Sequence, residues 1–160
     1  MRKWVLLIGL VVLVMGGFFI VQTRQFHDSE IAALISQSQE HALAARYDDA
    51  VADLTAAIEI EPENPELYVL RGQMYLYLYE WDEVLADYNA AIELDPDYPD
   101  AYFYRGILYY SILQTGQELR PEAWADFQHY LELAPAGTHA DEAARYAATV
   151  QAELAALNDD

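Results

Sequence analysis

One segment of this chain recurs at a fixed spacing, and this repeat limits the fold more than any other feature of the sequence. YDDAVADLTAAIEIEPEN begins at Tyr47, and WDEVLADYNAAIELDPDY begins at Trp81. A second pair matches at the same spacing, with LYVLRGQMYLYLYEW from Leu67 and AYFYRGILYYSILQT from Ala101. A third copy of the first segment, PEAWADFQHYLELAP from Pro121, returns five residues late. Repetition at such a period predicts a solenoid of stacked units.

Each unit predicts two helices. In the second unit, apolar residues recur about one helical turn apart in two segments, at Leu67, Leu70, Met74 and Leu78 and then at Val84, Tyr88, Ala91 and Leu94. The prolines mark the predicted helix ends at Pro62, Pro96 and Pro135, and the predicted helix starts at Pro65, Pro99 and Pro121. Two such short helices cannot bury their apolar faces alone, so the units must stack on one another.

The repeated unit resembles the tetratricopeptide repeat (TPR), whose period is about 34 residues. The second unit carries the family pattern at Tyr68, Gly72, Tyr75, Trp81, Val84, Tyr88, Ala91, Ile92, Leu94 and Pro96. The third carries it at Tyr102, Gly106, Tyr109, Ala123, Phe127, Leu133 and Pro135, with five extra residues around Leu113–Arg120. The first keeps Tyr47, Ala50, Ala57, Ile60 and Pro62, but has Leu34, Ser38 and His41 where an aromatic residue, glycine and tyrosine are usual. The resemblance implies an all-α TPR helix-turn-helix solenoid of three repeats.

The segment after the third repeat predicts a capping helix. Thr138 and Asp141 resemble an N-terminal capping arrangement. An apolar stripe follows at Ala140, Ala144, Ala147, Val150, Leu154 and Leu157. The predicted organisation is a membrane anchor or signal segment at 1–24, a linker at 25–30, TPR 1 at 31–64, TPR 2 at 65–98, TPR 3 with its insertion at 99–137, and the capping helix and tail at 138–160.

The N-terminus predicts one transmembrane helix before the repeats. Trp4–Val21 is an uncharged apolar run that would span roughly 27 Å as a helix, close to the thickness of a bilayer core. It lacks an Ala-x-Ala cleavage site, which favours an uncleaved anchor, while a cleaved signal peptide and a secreted protein remain the alternative. Arg2 and Lys3 precede the run and Arg24 follows it. This charge bias predicts a single-pass protein with a cytoplasmic N-terminus and an extracytoplasmic TPR domain.

The charge of the chain limits its partners. All 27 acidic residues follow Arg24, together with only five of the eight basic residues, which gives this part a net charge of −22. Such a charge disfavours nucleic acid and anionic lipid surfaces, because both attract basic footprints. The chain also has no cysteine, which excludes thiolate metal ligands and thiol catalysis.

No set of residues in the sequence indicates an enzyme, a metal site or a cofactor. The four histidines are His27, His41, His129 and His139. None accompanies a serine–acid pattern or a second histidine at metal-ligand spacing on one helix. The acidic stretches Glu59–Glu63 and Glu93–Asp97 lack the pattern of a calcium-binding loop.

Two arginines share one repeat position, and three aspartates share another. Arg71 and Arg105 lie one repeat period apart, and the aspartates are Asp53, Asp87 and Asp126. The arginines could donate to a ligand, or each could pair with an aspartate of its own or the adjacent repeat. We favour the pairs, because a bidentate arginine–carboxylate contact is strong where both groups are partly desolvated.

The resemblance to TPR proteins also implies a concave groove lined by the first helix of each repeat. Its positions in this chain hold no lysine, arginine or asparagine, which argues against the subtype that clamps the C-terminal carboxylate of chaperone tails. They are instead apolar and aromatic, with acidic residues at the rim. The predicted partner-binding residues are Val69, Gln73, Tyr77, Phe103, Tyr104, Ile107 and Tyr110. The alternative is that some of these aromatic side chains pack in the core.

The predicted function is therefore that of a membrane-tethered, non-enzymatic TPR scaffold. Its aromatic, acidic-rimmed groove would hold a peptide or helical segment of a partner protein. The alternative is a structural role without a separate peptide ligand, either through self-association into a homo-oligomer or as a subunit of a larger envelope complex.

Overall fold

The computed structural model describes residues 26–111 and 120–158, and these residues form helices joined by turns. The helices are α1 (residues 26–43), α2 (Tyr47–Ile60), α3 (Pro65–Leu78), α4 (Trp81–Leu94), α5 (Pro99–Ser111), α6 (Arg120–Leu133) and α7 (Ala140–Asn158). The fold is thus an all-α helical solenoid of the TPR type. The inserted residues of the third repeat fall mainly in 112–119, outside the described residues.

The helices stack in chain order, as the repeat requires. Each of α2 to α6 packs on the helix that follows it. The first helices of the second and third repeats, α3 and α5, also contact each other directly. This contact between alternate helices places one face of α3 beside one face of α5, which is the side of the solenoid where a shared surface can form.

Local sequence signals explain several helix ends. The side chain of Asn64 accepts a hydrogen bond from the backbone N–H of Glu66 at 3.1 Å, and Pro65 begins α3. Ala45 and Tyr79 occupy the same position in successive repeats, and both have positive φ, 56° and 62°. A left-handed residue after the first helix is therefore part of the repeat, because it ends that helix and turns the chain toward the second.

Two glycines permit the helix pairs to cross closely. A Cβ atom added at Gly72 would lie 2.6 Å from the ring of Tyr88, and one added at Gly106 would lie 3.0 Å from the ring of Phe127. Both rings are completely buried. The close crossing expected from these small residues is therefore observed, and in each case an aromatic ring of the second helix fills the space above the glycine.

The last helix, α7, packs on α6 and ends the described solenoid. Its buried side chains are Ala143, Ala147 and Val150, whereas Ala144 is exposed. The predicted apolar stripe is therefore wrong at Ala144. Position 143, not 144, lies one helical turn before Ala147 on the buried face, because the contact with α6 sets the rotation of the helix.

Within the two described ranges, no helix has both the length and the apolar character needed to cross a bilayer. The segment predicted to do so, Trp4–Val21, lies outside those ranges. The membrane anchor and the orientation derived from it thus remain predictions.

Candidate functional site

The recurring arginines of the repeats are engaged within the solenoid. Arg71 on α3 donates to both carboxylate oxygens of Asp87 on α4, at 2.9 and 2.7 Å, and to the hydroxyl of Thr55 on α2, at 3.1 Å. It therefore joins three successive helices. The interpretation of this arginine as half of an ion pair is confirmed, and its aspartate belongs to the same repeat.

The third repeat contains the same arrangement. Arg105 donates to both carboxylate oxygens of Asp126, at 2.8 and 2.7 Å, and to the side-chain oxygen of Asn89, at 2.7 Å. Burial raises the pKa of Asp126, and the hydrogen bonds from Arg105 oppose this rise. Since these bonds use three of the guanidinium's five N–H groups, the arginine acts as a structural connection between repeats.

The first repeat replaces this pair with a different set. Gln37 stands one repeat period before Arg71 and donates to Asp53 at 3.1 Å. His41 Nδ1 lies 2.8 Å from the other carboxylate oxygen of Asp53. The equivalent aspartate thus accepts a hydrogen bond from a neutral amide and lies beside a histidine, which makes the first repeat chemically distinct from the other two.

Two of the predicted partner-binding residues are in the core. Val69 is 3 % exposed and packs in the cluster that contains Val84 and Tyr88. Phe103 is 2 % exposed, with its ring 6.2 Å from that of Phe127 between centroids. Neighbouring helices already cover the surfaces of these two side chains, so they correspond to the alternative in which some of the groove residues pack in the core.

Part of that cover comes from a residue that the sequence analysis did not connect with the groove. His139, in the turn before α7, stacks on Phe103 with ring centroids 4.2 Å apart. Its backbone N–H donates to the hydroxyl of Tyr130 at 2.9 Å. The sequence spacing could have indicated this contact. His139 follows Asp100 by one repeat period plus the five inserted residues of the third repeat, so it stands at the same repeat position as Asp100. The segment that leads into α7 therefore corresponds to the start of a further first helix.

Four of the predicted site residues lie half-buried on α3 and α5, namely Gln73, Tyr104, Ile107 and Tyr110. Burial raises the pKa of the Tyr104 phenol, Asp100 raises it further, and a hydrogen bond with Gln73 opposes the rise. The structure therefore brings Gln73 and Tyr104 together across the contact of α3 with α5. Tyr110 packs beside Tyr146 of α7, with ring centroids 5.4 Å apart.

Tyr77, the remaining predicted residue, borders an open apolar recess between α1 and α3. It is 58 % exposed, and its ring stacks on Tyr47 with centroids 4.5 Å apart and planes within 4°. The recess has a volume of about 430 Å³ and is lined by Gln39, Ala42, Leu43, Tyr47, Met74 and Tyr77. Leu43 is 91 % exposed at its edge. Gln39, Ala42, Leu43 and Tyr77 stand at groove positions that the resemblance implies, whereas the part of the lining formed by Tyr47 of a second helix was not predicted from the sequence.

The described surface has no unpaired basic side chain. The four arginines whose side chains are described each pair with a carboxylate: Arg46 with Asp49, Arg71 with Asp87, Arg105 with Asp126, and Arg145 with Glu142. The only lysine of the chain is Lys3, outside the described residues. Any charged attraction exerted by this surface is therefore toward cations.

Neither catalysis nor metal binding is indicated by the described histidines and carboxylates. No group of three or more potential metal-ligating side chains comes together among the described residues. His129 packs against the ring of Tyr102 at 4.3 Å between centroids, and its Nδ1 lies 3.5 Å from Glu132. These contacts are of the kind that position surface side chains.

Together, the stacked helix pairs define a helical-repeat fold of the TPR type. Residues 72–112 match the family model described as TPR repeat. No curated protein matches the chain significantly.

Solved structures with a similar fold come from several TPR proteins. The first TPR of Spaghetti (RPAP3), bound to the HSP90 peptide SRMEEVD, is 25% identical, with 79% of this chain and 97% of that chain covered and a TM-score of 0.68. The first TPR domain of human RPAP3 is 25% identical, with coverages of 81% and 96% and a TM-score of 0.67. The TPR2B domain of yeast Sti1, solved as a complex with pHsp70, is 21% identical, with coverages of 78% and 98% and a TM-score of 0.67.

Proposed function

We propose that this protein is a non-enzymatic TPR scaffold that binds a peptide or helical segment of a partner protein along its first helices. The observation that carries the proposal is the set of apolar and aromatic side chains that α1, α3 and α5 leave wholly or partly uncovered, at Leu43, Tyr77, Tyr104, Ile107 and Tyr110. Tyrosine suits such a surface, since it offers a large rigid contact area and a hydroxyl group. The similar domain of Spaghetti binds a short peptide, which supports a peptide ligand here.

The ligand of this chain should differ in charge from that peptide. The sequence SRMEEVD ends in three acidic residues around a valine, with a terminal carboxylate. A site for such a tail needs cations, and the described arginine side chains of this chain are all paired internally. We therefore propose a neutral or basic partner segment, because an acidic one would be repelled by the surrounding carboxylates.

The proposal includes a membrane tether formed by Trp4–Val21, with the TPR domain on the extracytoplasmic side. Its support is the apolar run itself and the charge bias around it. Tethering would raise the effective concentration of the scaffold toward membrane-associated partners. Because the chain has no cysteine, a single Leu43→Cys variant can be treated with a membrane-impermeant maleimide in intact cells. Labelling is expected before lysis, and labelling only after lysis would contradict the proposed orientation.

Self-association remains the second candidate, and one observation favours it. Leu43 and Tyr77 expose a continuous apolar surface of the kind that marks interfaces between proteins. Under this alternative, a second copy of the chain would cover the surface, and no separate peptide ligand would exist.

In-cell photocrosslinking from two positions distinguishes the candidates. A photoreactive amino acid would replace Tyr104 on α5 in the full-length protein, and the matched control would carry it at Leu94, which is 40 % exposed at the end of α4. One dominant foreign protein crosslinked from position 104 and absent from position 94 is expected. A crosslink only to the same chain would favour self-association, and equal products from both positions would contradict binding along the first helices.

A further inference from the structure

The apolar recess between α1 and α3 has the features of an anchor pocket. We infer that it holds an apolar side chain of a basic, lysine- or arginine-rich segment of the partner protein. This inference rests on the proposed function and assigns to it a specific pocket and a chemical class of partner.

The first argument is the exposure of the side chains at the recess. Leu43 is 91 % exposed and Tyr77 is 58 % exposed, and both border the same space. A volume of about 430 Å³ lies within the range of ligand pockets, roughly 300–1,000 Å³. It therefore has room for a large aliphatic or aromatic side chain, and burial of that side chain would also remove Leu43 from water.

The second argument is the rigidity of one wall. The rings of Tyr47 and Tyr77 are parallel to within 4°, with their centroids 4.5 Å apart, although they belong to different repeats. Each ring limits the rotation of the other. Binding against this wall costs less side-chain conformational entropy than binding against two free tyrosine side chains would, because Tyr47 and Tyr77 are already partly ordered.

The third argument is charge, and it selects the partner. Glu40 follows Gln39 of the lining, and Asp48 follows Tyr47, and both acidic side chains are exposed. Arg46, which precedes Tyr47 in the sequence, has its Nη1 3.4 Å from Asp49. With 27 acidic and 8 basic residues in the whole chain, the long-range field adds to this local excess of negative charge. This negative charge attracts lysine or arginine residues of the partner on either side of the apolar side chain in the recess, and it repels acidic ones.

The test uses the full-length protein in mild detergent and a labelled synthetic peptide as the probe. The peptide carries one tryptophan and one leucine four positions apart among lysines and alanines. Two matched peptides replace either the two apolar residues with alanine or every lysine with glutamate. Fluorescence anisotropy measures the Kd. The first peptide is expected to bind, and each matched peptide is expected to bind at least about tenfold more weakly.

Protein variants then locate the pocket. Leu43→Ser and Tyr77→Ser are expected to raise the Kd for the basic peptide at least about tenfold. Tyr79→Ser is the matched control, since Tyr79 is 75 % exposed two residues after Tyr77 but does not line the recess. It is expected to leave the Kd within about twofold of the unsubstituted protein. Circular dichroism of each variant should retain the helical signal.

Several outcomes would overturn the inference. If Tyr104→Ser and Tyr110→Ser weaken binding while Leu43→Ser does not, the groove binds a partner as proposed but the recess is not its anchor pocket. If none of these variants changes the Kd, both the proposed function and the inference are wrong. A concentration-dependent dimer that Leu43→Ser dissociates would assign the recess to a second copy of the chain. Equal affinity for the lysine and glutamate peptides would remove the assignment of a basic partner.

Discussion

Arg71 and Asp87 form a bidentate ion pair, with Nε to Oδ2 at 2.9 Å and Nη2 to Oδ1 at 2.7 Å. The aspartate is only 4 % exposed. Burial raises its pKa, and the two hydrogen bonds from the arginine oppose this rise. The pair recurs in the third repeat between Arg105 and Asp126, so the same connection joins the helices at two successive places.

Removing one partner of this buried pair should strongly destabilise the fold. Arg71→Leu leaves Asp87 buried without its cation, which costs about 3–5 kcal/mol when such a pair is broken. Arg46→Leu is the matched control, because Arg46 and Asp49 are both 55 % exposed. Exposed pairs contribute about 1 kcal/mol or less. Urea denaturation of the full-length protein in mild detergent would measure both, and equal small losses would show that the internal pair is not important for stability.

The two crossing glycines should differ in their tolerance of a methyl group. Gly72→Ala places a Cβ 2.6 Å from the completely buried ring of Tyr88, a separation that forces the ring or the helix to move. Such overpacking costs about 1–3 kcal/mol. At Gly106 the nearest atom of Phe127 is 3.0 Å away, so a smaller shift is needed. The higher helix propensity of alanine, about 1 kcal/mol relative to glycine, offsets this smaller cost.

Thermal denaturation of the two variants would check that order. Gly72→Ala is expected to lower the melting temperature by several degrees, and Gly106→Ala is expected to change it little. The opposite order would mean that Phe127 is less able to move than Tyr88, and that the contact distances do not determine the cost.

The fold could be predicted because its signals are periodic. The repeat period, the prolines at helix boundaries and the apolar positions of Leu67 and Val84 all depend on local sequence. The pairing of Arg71 with Asp87 could be predicted for the same reason, since both residues recur with the repeat. Such features need no knowledge of how distant segments meet.

The exposure of the site residues could not be predicted in this way. Phe103 and Tyr104 are adjacent aromatic residues on α5, yet only Phe103 is buried, because the rings of Phe127, Tyr130 and His139 surround it. The recess likewise depends on the meeting of Leu43 with Tyr77 across a repeat boundary. Tertiary packing determines which of two neighbouring aromatic side chains is exposed to a partner. This exposure cannot be predicted from the repeat positions alone.

A half-buried tyrosine, Tyr98, should make stability depend on pH in the alkaline range. Burial raises the pKa of the Tyr98 phenol to about 12, and the nearby carboxylates of Asp100 and Glu66 contribute to this rise. In the unfolded chain this phenol loses its proton near pH 10. Between these two values the folded state holds a proton that the unfolded state has lost, so the stabilisation is complete below pH 10 and disappears as the pH rises toward about 12.

Tyr98→Phe tests this linkage with almost no change in shape. Ultraviolet titration of the 13 tyrosines in the full-length protein should show that the variant has one phenol fewer among those that lose their proton well above pH 10. The free energy of unfolding would be measured in urea at several pH values. Between pH 10 and 12 it should fall less steeply in the variant than in the unsubstituted protein. The two slopes should differ by at most about 1.4 kcal/mol per pH unit, the limit for one proton. If the variant instead lacks a phenol that titrates near pH 10, Tyr98 is exposed to solvent, and the packing of this residue against the cluster of Val84 and Tyr88 is not maintained in solution.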